Sequence, residues 1–273
     1  MRPLAIPVLL LALLLGAAAA QVKRDGGKKT AAAPPASKVA RPAGEKQAGV
    51  KTDVPDSGRT VVCIDPGHPS EVASGRNVQN GTSEAHVDWA VATRLRETLE
   101  AGGYEVVLTK SSEEEVVRNR DRALVANRAR AALMIRLHCD ASTERGFAVY
   151  YPDRQGRAKD GSVGPAPGVI EGSRLAAEAI HAGLAEGLQG ALEDNGVRTD
   201  YQTKVGREQG GALTGSIFSE VPVVTIEMVV LSNAADAEFI KTEEGQRRMA
   251  EAIADGIKRF VAPSKNVSTE SKR

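Results

Sequence analysis

The sequence predicts an α/β domain, in which one largely parallel or mixed sheet is flanked by helices. Short apolar runs rich in β-branched residues alternate with longer segments whose apolar residues recur every three or four positions. This alternation is typical of strands and helices that form a layered sheet. The strand-like runs are apolar throughout, as expected of strands covered on both faces. Residues 59–262 carry the pattern, and about 200 residues suit a single domain.

The first strand is expected at residues 61–64, because Pro66 and Gly67 then end the run and turn the chain. Ser83 can cap the next helix, which Gly102 and Gly103 stop. Further strands are expected at 105–108, 133–138, 147–151 and 221–228. Further helices are expected at 118–131, 173–192 (with Leu175 and Leu184 buried) and 243–261, and a loop at 153–172.

Two histidines and two glutamates occur at the ends of these elements. His68 and His138 follow or end strands, Glu84 begins a helix, and Glu227 ends the last apolar strand. Taken singly, each has an ordinary explanation, such as a turn or core histidine or a glutamate favoured at a helix N-terminus. Ligands of open α/β sheets bind beyond the carboxyl ends of strands. We therefore expect the four side chains to share one rim.

The motifs around these residues occur in the order found in a known enzyme family. In chain order they are Asp-Pro-Gly-His at 65–68, Glu84, Arg122 with Ala-Asn at 126–127, Leu-His-Cys-Asp-Ala at 137–141, and Glu227 followed by Leu-Ser-Asn at 231–233. Over residues 59–262 the chain resembles the zinc-dependent N-acetylmuramoyl-L-alanine amidases. The resemblance implies a mixed sheet flanked by helices, with a catalytic zinc at the carboxyl ends of the strands.

The resemblance also implies roles for the four residues. His68, Glu84 and His138 would hold one zinc ion, and Glu227 would act as general base and then as general acid. Two imidazoles and one carboxylate leave zinc an open position for water, which is the hydrolytic pattern. The implied reaction cleaves the amide bond between the lactyl group of N-acetylmuramic acid and L-alanine in peptidoglycan or muropeptides. The alternatives are a zinc amidohydrolase or peptidase acting on wall peptides, and a zinc-containing wall-binding protein without activity.

The chain departs from the family pattern beside these residues. Arg136 stands where the family usually has a small hydroxyl residue, Cys139-Asp140 replaces Ala-Asn, and residues 228–230 replace a Leu-Gly-Phe type sequence. The changes concern substrate contacts more than the metal. Some relatives carry an inhibitory helix after the strand corresponding to 147–151. Here residues 153–172 are glycine-rich and include two prolines, so we expect no such helix and no need for an activator, whose identity the sequence leaves unknown.

Several other residues have two readings. Asp65 can brace the His68 loop or orient a ligand histidine, and the two cysteines, Cys63 and Cys139, can be buried thiols or a disulfide. His86 and His181 are expected at the surface or in structural roles. The arginines between 118 and 130 are expected on a solvated helix face.

The N-terminal residues predict export. Residues 1–20 have a positive start at Arg2, an apolar run and a small-residue cleavage site, which is typical of a signal peptide. The apolar run is shorter than the ~20 residues of a membrane span, so we expect no stable transmembrane anchor. The protein is thus expected in the periplasm, outside the cell or in the cell wall.

Charge is divided unevenly along the chain. Residues 21–58 form an alanine-, lysine- and proline-rich linker with net charge +4, whereas residues 59–262 have net charge −6. The acidic domain argues against nucleic acid as a partner. Residues 263–273 are polar and are expected to be a disordered tail.

Overall fold

The computed structural model describes residues 58–262, so the predicted signal peptide, nearly all of the linker and the tail lie outside the described residues. The strands are β1 (Val61–Pro66), β2 (Glu105–Leu108), β3 (Leu133–Asp140), β4 (Phe147–Tyr151), β5 (Gly156–Arg157), β6 (Val163–Gly164), β7 (Asp194–Thr199) and β8 (Val223–Val230). The helices are α1 (Glu84–Ala101), α2 (Asn119–Arg128), α3 (Pro167–Gly187), α4 (Lys204–Glu208), α5 (Thr214–Ile217), α6 (Ala234–Lys241) and α7 (Glu243–Val261). None of the helices between residues 58 and 262 combines the length and apolarity needed to cross a membrane.

Six strands form one mixed sheet in the order β2-β1-β3-β8-β4-β7. All neighbours are parallel except β8 and β4, which are antiparallel. Strands β5 and β6 form a separate two-stranded hairpin. The predicted mixed α/β sheet is therefore confirmed, and the carboxyl ends of β1, β3 and β8 meet at one edge.

Helices cover both faces of the sheet. Alternate residues of β1 and β3 pack against α1, α3 and α7 in the larger core, and the residues between them pack against α2. Cys139 belongs to the first set and Cys63 to the second, so their thiols point to opposite faces. Both are buried and free, which excludes the disulfide within this structure.

Helix α3 differs from its prediction in its start, in its buried face and in its end, which is Gly187 and not residue 192. It begins at Pro167, six residues early, because proline is well suited to the first turn of a helix. The predicted loop at 153–172 is therefore partly helical. Leu175 is 46% exposed, and the buried stripe instead runs through Ala176 and Ile180. Small residues on that stripe let α3 pack closely on α7.

Strand β7 and helix α6 were not predicted. β7 is an edge strand whose only large apolar side chain, Val197, is exposed, so it lacks the apolar run that marks the central strands. Helix α6 is only eight residues long and is capped by Asn233, whose side chain accepts hydrogen bonds from the backbone N–H groups of Ala235 and Asp236.

A buried ion cluster fixes the end of β1. The carboxylate of Asp65 is fully buried and accepts hydrogen bonds from Arg122 (2.7 Å), Arg136 (3.0 Å) and the hydroxyl of Thr109. Burial raises the pKa of Asp65, but the two guanidinium charges outweigh it and lower that pKa to about 2. Asp65 contacts no site histidine through these bonds, so it braces the loop and does not orient a ligand.

Arg122 also holds the loop that follows β1. Its guanidinium donates to the carbonyl oxygens of Pro66 (2.5 Å), Pro69 (2.8 Å) and Val117 (3.0 Å). The Lys110 ammonium donates to the carbonyl oxygen of His68. The prediction that Arg122 lies on a solvated helix face is wrong: it is 1% exposed, because four buried acceptors converge on it.

We predict that Arg122→Met destabilises the domain by about 3–5 kcal/mol, because it leaves the Asp65 carboxylate and three carbonyl groups short of donors. For a domain of this size the melting temperature should fall by roughly 10 °C. Thermal unfolding in a chelator measures this without a contribution from bound metal. The matched control is Arg120→Met on the same helix, since Arg120 is exposed and pairs with Asp160; its loss should cost about 1 kcal/mol or less. Equal losses in both variants would contradict the bracing role.

Candidate active site

His68, Glu84 and His138 converge at the edge where β1 and β3 end. Oε1 of Glu84 lies 3.2 Å from Nε2 of His68 and 3.1 Å from Nδ1 of His138. The three ligand atoms all lie within 4.8 Å of one another, and in the described part of the chain they are the group able to hold a metal ion. Zinc–ligand bonds of about 2.0–2.1 Å in a tetrahedron place ligand atoms about 3.3 Å apart. The donor set and its spacing therefore fit one zinc ion.

Two glycines let the histidines approach. A Cβ on Gly67 would lie 2.7 Å from Cε1 of His138 and 2.7 Å from the carbonyl oxygen of Leu137, so only glycine fits between the two strand ends. A Cβ on Gly75 would lie 2.4 Å from Cβ of His68. The loop thus folds tightly over His68, whose backbone takes a left-handed conformation (φ 45°).

The orientation of His68 is set by a second hydrogen bond. Its Nδ1 lies 3.2 Å from the carbonyl oxygen of Ala73, while Nε2 faces Glu84. A ligand histidine usually donates its other ring nitrogen to such a group, which fixes the tautomer.

Glu84 is the first residue of α1, and its Oε1 also accepts a hydrogen bond from the backbone N–H of Cys139 at 3.2 Å. Burial raises the pKa of Glu84, but the hydrogen bonds from His138 and His68 outweigh it and lower that pKa to about 2. The two imidazoles respond differently to burial and to this carboxylate. At His138 burial outweighs the hydrogen bond to Glu84, and the pKa is lowered. At His68 the hydrogen bond and the charge of Glu84 outweigh burial, and the pKa is raised.

Glu227 lies beside His138 on the neighbouring strand. The two residues are paired in the parallel register of β3 and β8, so their side chains share a face. The prediction that Glu227 ends this strand is wrong. β8 continues to Val230, and the three residues after Glu227 are buried and apolar.

The Glu227 carboxyl group has few polar contacts to offset its burial. Its Oε2 is buried and has no hydrogen-bond partner among the described residues. Burial raises its pKa well above the usual value, and the negative charges of Glu84 and Asp140 add to the rise.

Asp88 is a site residue that the sequence reasoning missed. It lies one helical turn after Glu84, is fully buried, and its Oδ2 has no partner among the described residues. The thiol of Cys139 lies 3.6 Å from its Oδ1. Burial, then the charges of Glu84 and Glu227, raises the pKa of Asp88 well above its usual value. The sequence did contain one indication that Asp88 belongs to the site. It lies beside the apolar stripe of α1 and four residues after Glu84, on the same helical face.

The remaining histidines lie away from these groups. His86 is exposed and its Nδ1 lies 3.2 Å from Glu113, whereas His181 pairs with Asp194 at 2.9 Å. Both agree with a surface or structural role.

Arg136, which departs from the family pattern, lies two residues before His138 on the same face of β3. Its Nε donates to Asp65, and its Nη2 donates to Oδ1 of Asn119 at 2.9 Å. The guanidinium packs against Gly215 of α5, where a Cβ would lie 2.8 Å from its central carbon. The substitution is thus absorbed as part of the buried ion cluster.

A family model described as N-acetylmuramoyl-L-alanine amidase matches residues 62–259. N-acetylmuramoyl-L-alanine amidase AmiC of Neisseria meningitidis is 26% identical over 232 residues, which cover 76% of this chain and 54% of that relative. N-acetylmuramoyl-L-alanine amidase Rv3717 of Mycobacterium tuberculosis is 25% identical over 225 residues, which cover 74% of this chain and 86% of that relative. The chain therefore spans little more than half of the first relative and most of the second.

Solved structures show the same architecture. The catalytic domain of CwlV, an N-acetylmuramoyl-L-alanine amidase from Bacillus (Paenibacillus) polymyxa, superposes with a TM-score of 0.57 at 25% identity, covering 74% of this chain and 97% of that one. Since the family match also covers most of the chain, including every residue of the candidate site, the chain belongs to the N-acetylmuramoyl-L-alanine amidase family.

Proposed function

We propose that the chain hydrolyses the amide bond between the lactyl group of N-acetylmuramic acid and L-alanine in peptidoglycan. The observation that carries the proposal is the convergence of His68 Nε2, Glu84 Oε1 and His138 Nδ1 beside a buried, unpaired carboxyl oxygen of Glu227. Three donors with a separate proton-transfer group suit metal-assisted hydrolysis. Membership of the amidase family supports the choice of bond.

We propose that His68, Glu84 and His138 hold one zinc ion per domain. The nitrogen and oxygen donors are of the types zinc prefers, and their spacing suits its tetrahedral coordination. When bound, zinc activates a water molecule and polarises the scissile carbonyl group.

Glu227 is proposed as the proton-transfer residue. Oε2 of its carboxylate accepts a proton from the attacking water and then donates it to the leaving amine of L-alanine. Burial and the neighbouring negative charges raise its pKa well above the usual value, so the carboxylate is a stronger base than an exposed glutamate. Glu84 remains ionised as a ligand, because two imidazoles hold its pKa low.

Export is proposed from residues 1–20, and the basic linker is proposed as a tether between the domain and the envelope. Peptidoglycan or released muropeptides are the proposed substrates.

The substrate bond is tested by digesting purified peptidoglycan with the zinc-loaded chain alone. Mass spectrometry should detect free stem peptides that begin at L-alanine. No activator should be needed, because residues 153–172 place no helix over His68. The helical part of this segment begins at Pro167 and packs at Gly172 against Pro222, which precedes β8 and so lies at the end of the strand away from Glu227. Cuts within the peptide would favour a wall peptidase instead. A chain that stays inactive until another protein is added would contradict autonomous activity, and one that never releases products would favour a wall-binding role.

The metal set is tested by zinc content. Purified chain should contain about one zinc ion, and His68→Ala and His138→Ala should each lose zinc and activity together, since two ligands hold the metal poorly. The matched control is His86→Ala, an exposed histidine near the site, which should keep its zinc. Full zinc occupancy in both ligand variants, measured by plasma mass spectrometry, would contradict the assignment.

Proton transfer is separated from metal binding by Glu227→Gln. This variant should fold, retain zinc and bind muropeptide, yet lose about 10²- to 10⁴-fold in kcat, because it removes only the proton-transfer group. Glu220→Gln, at an exposed glutamate just before β8, provides the control and should keep full activity. Loss of zinc from Glu227→Gln would make Glu227 a ligand, and near-normal turnover would refute the mechanism.

A further inference from the structure

A row of side chains crosses one face of the sheet from Glu227 to the edge strand. Glu227 pairs with Ala148 in the register of β8 and β4. Tyr150 pairs with Arg198 in the register of β4 and β7. Paired residues share a face, as do alternate residues along a strand. Glu227, Tyr150 and Arg198 therefore lie on the face that also carries His138.

The spacing along this row suits a bound peptide. Two strand spacings of ~4.8 Å separate Glu227 from β7. Because Tyr150 pairs with Thr225 as well as with Arg198, Arg198 also lies two residues further toward the amino end of β8, and the two backbones are ~12 Å apart. The β4 residue that pairs with Glu227 on this face is Ala148, whose short side chain leaves space above the sheet. An extended peptide advances ~3.4 Å per residue. The backbone of the second residue beyond the scissile amide therefore lies ~7 Å from that bond. A carboxylate on this residue spans part of the remaining distance to the Arg198 guanidinium, which extends toward Glu144 in the loop before β4.

The Arg198 guanidinium is held in place but remains accessible. Its Nη1 donates to Glu144 at 2.9 Å and to the Tyr150 hydroxyl at 3.2 Å, and its Nη2 reaches Asn195 only at 3.4 Å. The side chain is 26% exposed. Within residues 58–262, Nε has no hydrogen-bond acceptor, so the Nε–Nη2 edge can receive a carboxylate in the bidentate manner.

Tyr150 lies on the same face of the sheet as Glu227 and accepts a hydrogen bond from this guanidinium. Burial raises the pKa of Tyr150, the Arg198 hydrogen bond opposes that rise, and the charge of Glu227 adds to it. The hydroxyl therefore stays protonated and lies within the electrostatic influence of both residues.

A groove adjoins the hydrogen-bond partners of Arg198. It has a volume of about 440 Å³. It is lined by Thr143, Glu144, Arg145, Glu193, Asn195 and Asn233. Glu144 and Asn195 are the same residues that bind the guanidinium. A concavity of this size accommodates several non-hydrogen atoms of a small ligand or peptide, so a peptide bound at Arg198 has room to extend.

We propose that Arg198, oriented by Tyr150, binds the free carboxylate of the second stem-peptide residue and selects substrates in which that group is not amidated. The inference rests on the proposed amidase function and adds a specificity residue to it. The competing explanation is that the Arg198–Glu144 pair only ties β7 to the loop before β4. An ion pair with one half-exposed partner, Glu144, contributes little, and its loss would affect all substrates alike.

Two substrates distinguish these explanations. Both are N-acetylmuramoyl tripeptides, identical except that the second residue carries either a free carboxylate or a carboxamide. The zinc-loaded full chain should show a kcat/KM about tenfold to a hundredfold higher on the free acid, as expected for a charge-assisted hydrogen bond. Arg198→Gln should remove that preference by raising KM for the acid, with kcat and the amide substrate little changed. Tyr150→Phe should reduce the preference in part.

The matched control is Arg174→Gln, which removes a half-exposed, ion-paired arginine from α3 on the opposite face of the sheet and should keep the preference. Equal kcat/KM of the unmodified chain on both substrates would overturn the proposal. So would an Arg198→Gln variant that weakens on both substrates alike. Release of L-alanine-headed peptide from neither substrate would refute the amidase function itself, and with it the subsite.

Discussion

The buried carboxylate of Asp65 is the interaction on which the site depends. It binds Arg122 and Arg136, and Arg122 in turn holds the carbonyl oxygens of Pro66 and Pro69. A loop without regular secondary structure is thereby fixed to the end of β1. Metal sites require ligand positions within about 0.5 Å. The cluster provides that precision for His68, although through these bonds it contacts the side chains of none of the three proposed ligand residues.

The two glutamates of the site differ because their surroundings differ. Glu84 receives hydrogen bonds from two imidazoles, which keep it ionised and suited to bind a metal. Glu227 is on the same rim but lies in an apolar strand, and one of its carboxyl oxygens is buried without a hydrogen-bond partner in residues 58–262, so its pKa rises. Divergent pKa values in neighbouring carboxyl groups are how one site separates two chemical roles. The proposed division between ligand and proton-transfer residue therefore follows from packing.

Much of the domain could be predicted from sequence because apolar runs and turn residues mark the central strands directly. Residues in the middle of such patterns were harder to interpret. Glu227 interrupts β8 without ending it, since the following residues are again buried. Arg122 is buried because its acceptors come from a distant loop, which no local pattern reveals. Asp88 lies inside the apolar side of α1, where the hydrophobic period favours a core residue. In each case a tertiary contact decides the environment.

The most direct test of the account is anomalous diffraction at the zinc absorption edge from crystals of the zinc-loaded chain. It reports metal identity and ligand atoms together. The account predicts one peak at bonding distance from Nε2 of His68, Oε1 of Glu84 and Nδ1 of His138, with Glu227 outside bonding distance. A peak bonded to Glu227 in place of Glu84, or no zinc peak at these three residues, would contradict it.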